Sequence, residues 1–228
     1  PPRSTLFPYT TLFRSVAHPD DVTYGMGGTM LRLKESHSIH IVCATKGERG
    51  IKGIGMSEAG SIREKEQIAE CKALGAGLTF LNRTDADLFA DRAICEECAG
   101  IINTYDPKAI FTLWPVDSHP DHSAISEIVK KSIAIAKSSA ELYFCEEGLG
   151  SQTTSFIPDI YIDVTAVMKQ WEEMIHCHTS QNKDNSLLLS GRQRRLFRGE
   201  ESHYKYAEGF KTILPLALSR HSTLLNLT

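Results

Sequence analysis

The sequence predicts a Rossmann-like three-layer α/β/α fold with a mostly parallel sheet. Two observations predict it. Short β-branched and apolar runs alternate along the chain with longer amphipathic runs, which is the pattern of βαβ units. Polar or glycine-rich segments follow several of the apolar runs, as they do where the strands of a parallel sheet end. A chain of 228 residues is long enough for one such domain with a substantial core.

The first fifteen residues differ in character from the rest of the chain. The segment TLFPYTTLFRS at residues 5–15 resembles the conceptual translation of a sequencing adapter. We therefore expect residues 1–15 to be a non-native segment. Residues 16–215 are expected to form a single domain, and residues 216–228 to be a loosely attached tail. The first strand would end near Val16, with foreign residues standing in for its earlier part.

Each later element is predicted from its own periodicity and boundary residues. Strands are predicted at residues 38–45, 78–81, 109–114, 141–145 and 159–164. Helices are predicted at residues 25–36, 61–74, 91–105, 165–179 and 202–210, with a further helix capped by Asp121. The polar, arginine-rich segment at residues 181–201 is expected to be a mobile excursion.

Composition excludes several functional classes. The formal charge of −3 comes from 25 basic and 28 acidic residues, so there is no basic surplus that would favour nucleic acid. No apolar run approaches the ~20 residues of a membrane span. The six cysteines lie mostly in apolar segments, which is typical of reduced thiols. We expect a cytoplasmic protein that acts on a small molecule.

Two short polar motifs follow predicted strands. They are HPDD at residues 18–21 and HPDH at residues 119–122, about a hundred residues apart. Ligands of open α/β sheets gather outside the carboxyl ends of the strands, so we expect the two motifs to form one site. The alternative is that these residues only cap helices and form turns. That alternative predicts neither the clustering nor the duplication.

The motifs carry the donors of a catalytic zinc site. Such a site typically uses three nitrogen or oxygen ligands and keeps one position open for water. His18, Asp21 and His122 supply that set, although Fe²⁺ or another divalent ion could occupy it. Asp20 would remain free to take a proton from the activated water.

Two further residues of the second motif have expected roles. His119 is suited to donate a proton or to stabilise an oxyanion. Asp121 could hold a ligand histidine in one tautomer.

The pair of motifs, in this order, resembles the zinc-dependent de-N-acetylases of the PIG-L and LmbE type. This family includes deacetylases of the bacillithiol and mycothiol pathways. The resemblance extends from Val16 to about Phe210 and includes KGERG at residues 46–50, the Arg63 region, and HTSQ at residues 178–181.

The resemblance implies one zinc ion per chain. It implies that His18, Asp21 and His122 bind the ion, that Asp20 is the general base, and that His119 stabilises the tetrahedral intermediate or protonates the amine.

The resemblance also implies substrate-binding residues outside the motifs. Glu48 and Arg63 match positions that hold sugar hydroxyls, and His178 is also expected to bind the substrate. Each has an alternative: Glu48 could be a solvated loop charge, and Arg63 could pair with a glutamate of its own helix. His178 falls on an apolar stripe, which also suits a core position. Val22 departs from the family pattern, because many members of the family have Glu at this position.

The predicted function is metal-dependent removal of the acetyl group from an N-acetylglucosamine-type conjugate. One alternative is a metal-dependent phosphoesterase, which needs a second metal and bridging acids; the sequence indicates too few acids near the motifs. The other is a non-catalytic sugar-binding relative. The resemblance also allows a homo-oligomer. The sequence does not identify the sugar's aglycone.

Overall fold

A five-stranded sheet forms the centre of the computed structural model, which describes residues 10–148 and 150–213. Its strands are β1 (Thr10–Val16), β2 (His37–Thr45), β3 (Gly77–Arg83), β4 (Ala109–Leu113) and β5 (Glu141–Cys145). They are all parallel, in the order β3-β2-β1-β4-β5. The predicted α/β class is confirmed.

Four helices connect these strands and cover the sheet. They are α1 (Asp21–Leu33), α2 (Met56–Leu74), α3 (Arg92–Tyr105) and α4 (Pro120–Ala136). Since parallel crossovers are right-handed, α1 and α2 cover one face and α3 and α4 the other, where they pack against each other. The chain reverses direction across the sheet after β3, so β1 and β4 become neighbours. Residues that follow β1 and β4 therefore meet at one edge of the sheet.

The chain after β5 adds a second, smaller sheet and two helices. β6 (Ile160–Asp163) pairs antiparallel with β7 (Ala207–Phe210). Between them lie a 3₁₀ turn at Thr165–Val167, α5 (Met168–Ile175) and α6 (Ser186–Ser202). The predicted helix at residues 202–210 is therefore wrong, because α6 ends at Ser202 and β7 begins at Ala207.

The predicted mobile excursion at residues 181–201 is also wrong, because α6 occupies most of it. Three of its arginines are buried and point inward. Arg195 donates to Glu208, and Arg198 donates to both carboxylate oxygens of Glu146 at 2.6 and 2.7 Å. Arg194 donates to the carbonyl oxygen of Glu146 at 3.0 Å. Buried charges persist only with such partners, so these contacts anchor the helix.

Three helices begin at residues that differ from the prediction. α1 begins at Asp21, not Gly25, so the first motif lies at its N-terminus. α2 begins at Met56, inside the predicted loop. The N-cap of α4 is His119, whose Nδ1 accepts a hydrogen bond from the N–H of Asp121, so Asp121 is not the cap. Within the described part of the chain, no helix has both the length and the apolar character needed to cross a membrane.

β1 consists mainly of residues that we expect to be non-native. Leu12 and Phe13 are fully buried in the core, but so is Arg14. The Arg14 guanidinium lies 4.5 Å from the centre of the Phe111 ring, and none of its three nitrogens has a hydrogen-bond partner among the described residues. Burial lowers the pKa of Arg14 to about 9. The expected loose tail at residues 216–228 lies outside the described residues.

Candidate metal centre

The two motifs lie side by side at the carboxyl edge of the sheet. The chain leaving β1 carries His18 and Asp21, and the chain leaving β4 carries His122 in the first turn of α4. The ring centres of His18 and His122 are 5.3 Å apart. All three side chains line a cavity of about 370 Å³.

Asp21 lies between the two imidazoles. Its Oδ2 is 3.7 Å from His18 Nδ1, and its Oδ1 is 3.5 Å from His122 Nε2. The backbone N–H groups of Ala17 and His18 donate to Oδ2 and fix the carboxylate. Donors around one tetrahedral zinc ion are on the order of 3.4 Å apart. The residues present therefore fit a zinc ion.

The electrostatics of this cluster favour positive charge. Burial opposes protonation of His18, but hydrogen bonds with Asp121 and Asp85 outweigh it and raise its pKa to about 9. Burial also opposes protonation of His122, yet its carboxylate neighbours, Asp21 foremost, raise its pKa well above the usual value. A field that stabilises two imidazolium ions also favours a divalent cation.

Asp20 lies beside this set on a strained backbone. Its φ of 92° is in the left-handed region, which is uncommon for residues other than glycine. Arg63 holds it in place: one guanidinium nitrogen, Nη2, is 3.2 Å from Asp20 Oδ2 and donates to the carbonyl oxygen of Pro19 at 2.6 Å. Burial raises the pKa of Asp20, against the opposing effect of Arg63. Asp20 is thus a fixed carboxylate at the cavity with an increased affinity for a proton.

His119 lies beside both ligand histidines, with its ring centre 4.6 Å from that of His18 and 4.7 Å from that of His122. Burial and the neighbouring His18 and His122 lower its pKa. Its Nδ1 accepts the Asp121 N–H at 3.3 Å, so its proton is on Nε2. His119 can therefore donate a hydrogen bond from Nε2 while it caps α4.

Of the three residues expected to bind substrate, Arg63 lines the cavity, but Glu48 and His178 do not. Glu48 lies in a separate cleft of about 410 Å³, where its carboxylate accepts the N–H of Lys46. His178 is fully buried, with Nε2 2.7 Å from Glu70 Oε2. His178 therefore occupies a core position in this structure, and a role in substrate binding stays a prediction.

Three acids that sequence reasoning missed lie around the histidines. Asp85 Oδ1 is 3.1 Å from His18 Nε2, and Asp117 Oδ2 is 3.4 Å from His122 Nδ1. Glu147 lines the cavity, and burial raises the pKa of its carboxyl well above the usual value. The expectation of few acids near the motifs is therefore wrong. Each acid lies in the segment after β3, β4 or β5, so the strand-end rule applied to every strand would have found them.

Two groups of described side chains each have ligand atoms within 4.8 Å of one another: His18 with His119 and His122, and His18 with Asp85 and Asp121. In the acidic group the carboxylates contact Nε2 of His18, whereas Asp21 faces its Nδ1. Asp121 already accepts the N–H groups of Ala86 and Leu88 at 2.8 and 3.3 Å. These carboxylates are therefore well suited to holding the imidazole of His18.

The fold and the site together define a class: an open parallel α/β protein with the donor set of a metal centre where β1 and β4 end. The family comparison is more specific. Residues 15–133 match the family described as PIG-L: GlcNAc-PI de-N-acetylase, and the chain belongs to this family.

Known relatives cover most of the chain. A 4-oxalmesaconate hydratase from Pseudomonas putida is 24% identical over 87% of both chains. A diacetylchitobiose deacetylase from Thermococcus kodakarensis is 24% identical over 86% of this chain and 80% of the relative. An N,N'-diacetylchitobiose deacetylase structure from Pyrococcus horikoshii, complexed with an inhibitor, is 23% identical with a TM-score of 0.82, over 97% and 90% of the two chains. This last likeness shows the fold.

Proposed function

We propose that the protein is a metal-dependent deacetylase that removes the acetyl group from an N-acetylglucosamine-type amino sugar conjugate. The observation that supports the proposal is that Asp21 lies between His18 and His122 at one cavity, which Asp20 also lines. Family membership and the diacetylchitobiose deacetylase relative support it.

The ligand residues and the base have separate tasks in this reaction. His18, Asp21 and His122 would hold a zinc ion, which when bound supplies a Lewis acid that activates water and polarises the acetamide carbonyl. Asp20 accepts the proton of the attacking water on its carboxylate. Arg63 keeps that carboxylate oriented through its contacts with Asp20 and Pro19.

His119 stabilises the developing oxyanion. Its Nε2–H donates a hydrogen bond to that oxygen, and the proton that Asp20 took from water passes to the leaving amine. The products are acetate and a free amino sugar. Sugar hydroxyls would meet the polar side chains that line the rest of the cavity, which include Tyr24, Arg49, Gln152 and Gln181.

We infer one metal ion per chain, not the two that a phosphoesterase would use. Asp85 and Asp121 are already engaged with backbone N–H groups and with the same nitrogen of His18. A second ion there would have to displace these contacts. Two tightly bound ions per chain, measured by elemental analysis, would favour the phosphoesterase alternative.

Acetate release tests the proposal directly. Zinc-loaded protein is expected to release acetate from N-acetylglucosamine or N,N'-diacetylchitobiose, and a chelator should stop the reaction. Asp20→Asn should lower kcat by roughly 10²–10⁴ while zinc still binds. Asp87→Asn, at an exposed aspartate, is the matched control. Full activity of Asp20→Asn would rule out the assigned base.

The hydratase relative motivates a second candidate function. A site that activates water could add it to a conjugated carbon–carbon double bond, and Arg49 and Arg63 in the cavity could hold substrate carboxylates. Loss of the ultraviolet absorbance of 4-oxalmesaconate, without acetate release from any acetylated sugar, would favour the hydratase.

A further inference from the structure

Two aspartates outside both motifs contact the two ligand histidines in the same manner. Asp85 accepts the backbone N–H of Arg49 at 2.8 Å with Oδ2 and presents Oδ1 to His18. Asp117 accepts the backbone N–H of His119 at 2.8 Å with Oδ1 and presents Oδ2 to His122. In each case one oxygen is fixed by the backbone and the other faces an imidazole.

The contacted nitrogens are those that face away from Asp21. Asp85 is 3.1 Å from Nε2 of His18, whose Nδ1 faces Asp21. Asp117 is 3.4 Å from Nδ1 of His122, whose Nε2 faces Asp21. An imidazole that binds a metal through one nitrogen carries its proton on the other, and a carboxylate acceptor there fixes both tautomer and ring orientation.

The side chain of Gln152 also contacts His122, but only Asp117 fixes which nitrogen of that ring carries the proton. The Gln152 amide nitrogen lies 2.9 Å from His122 Nδ1. An amide can turn to offer its oxygen or its nitrogen, so it selects neither tautomer. Asp117 can only accept when ionised, and it is held rigidly because Thr153 Oγ1 donates to its Oδ2 at 2.8 Å.

We propose that Asp85 and Asp117 are positioning residues that fix the tautomers of His18 and His122, so that both rings present a free nitrogen to the ion beside Asp21. The proposal rests on the metal centre of the proposed function, but it is independent of the substrate. Asp121 supports the same nitrogen of His18 from the second motif. Asp85 comes from the segment after β3, and Asp117 and Asp121 come from the segment after β4, so two separate segments orient the two ligands.

Zinc affinity of the full-length protein, measured by competition with a chromophoric chelator, tests the proposal. Asp85→Asn and Asp117→Asn should each weaken zinc binding, roughly 10- to 100-fold. The visible spectrum of the cobalt-substituted protein should also change, because the ligand geometry changes. Asp87→Asn, on the same loop as Asp85, should leave both unchanged. Melting temperatures of the metal-free variants separate this effect from unfolding.

A double-mutant cycle distinguishes positioning from a general structural role. Asp85→Asn should add no further loss of affinity in a His18→Ala background but its full effect in a His122→Ala background. Asp117→Asn should show the reverse pattern. Equal effects in both backgrounds, or unchanged zinc affinity of both single variants, would overturn the proposal.

Failure of the proposed function gives a different result. Wild-type protein that binds zinc with dependence on Asp85 and Asp117, but releases no acetate, supports the positioning role and overturns deacetylation. If the wild-type protein releases acetate but both variants bind zinc normally, deacetylation is supported and the positioning role is overturned. A wild-type protein that binds no zinc overturns both.

Discussion

His119 combines two tasks that can be separated by substitution. Its Nδ1 caps α4 by accepting the N–H of Asp121, and its Nε2–H is free to donate into the cavity. Asparagine is among the best N-cap residues, because its side-chain oxygen also accepts a backbone N–H at the start of a helix. Asparagine is too short to replace the Nε2 donor.

The variant His119→Asn is therefore expected to lower kcat roughly 10²-fold or more, since one oxyanion donor is lost. Zinc affinity and melting temperature should stay close to wild type, because the cap remains. His119→Ala loses both the helix cap and the hydrogen-bond donor. Its free energy of unfolding should fall by about 1 kcal/mol, so its melting temperature should also be lower. The measurements are acetate release and thermal unfolding. A kcat for His119→Asn within twofold of wild type would argue against the donor role.

The residues of the two motifs could be predicted from sequence because they are neighbours in the chain. A tetrapeptide such as HPDD contains imidazole and carboxylate ligands that can be recognised before the fold is known. Asp85 and Glu147 could not be found in this way, because no histidine lies near either of them in the chain. Their approach to the site depends on where β3 and β5 end, which only the strand-end rule applied to every strand could have indicated.

At the scale of single elements, α6 shows why periodicity failed. Sequence reasoning expects a helix to bury an apolar stripe. The buried face of α6 instead carries Arg194, Arg195 and Arg198. Their partners include Glu146 and Glu208, which lie outside the helix. Without knowledge of those partners, the sequence of this segment predicts a solvated loop. The buried face of α6 therefore could not be predicted.

β1 presents the opposite case, a buried arginine without adequate partners. Arg14 is fully buried in the central strand, and its nitrogens lack hydrogen bonds among the described residues. Its contact with the Phe111 ring compensates only part of the desolvation. A strand in the middle of a parallel sheet normally carries β-branched or other apolar residues.

Arg14→Ile is expected to stabilise the protein by about 2 kcal/mol, because it removes an unpaired buried cation and fits an interior strand. For a chain of this size the melting temperature should rise by roughly 4–8 °C. Arg92→Ile is the matched control, since that side chain is 89% exposed and should change stability by no more than about 0.5 kcal/mol. A lower or unchanged melting temperature of Arg14→Ile would contradict this account of β1.

For the whole molecule, the strand order explains why the two motifs meet. β1 and β4 are far apart in sequence but adjacent in the sheet. The alternation of strands and helices was enough to predict a mostly parallel sheet, and the shared edge followed from that. β6 was predicted, as a strand at residues 159–164, but its pairing with β7 was not, because β7 is only four residues long and lies beyond α5 and α6.

A buried hydrogen bond between a histidine and a glutamate joins α2 to the segment after α5. His178 Nε2 is 2.7 Å from Glu70 Oε2, and both side chains are fully buried. Burial alone would lower the pKa of His178, but the hydrogen bond and charge of Glu70 outweigh it and raise the pKa. Such a group stabilises the fold fully below its unfolded pKa of about 6.5. That contribution is lost as pH rises through the higher pKa of the folded state.

Replacement of His178 by glutamine should therefore destabilise the protein more at pH 6 than at pH 9. At pH 6 the loss is expected to be about 2–3 kcal/mol, because the buried carboxylate of Glu70 loses a charged partner. Urea unfolding of the metal-free wild type and variant at both pH values measures the difference. His176→Gln, at an exposed histidine two positions earlier, should behave like wild type at both. A difference between wild type and His178→Gln that is the same at pH 6 and pH 9 would mean that the folded protein holds His178 neutral.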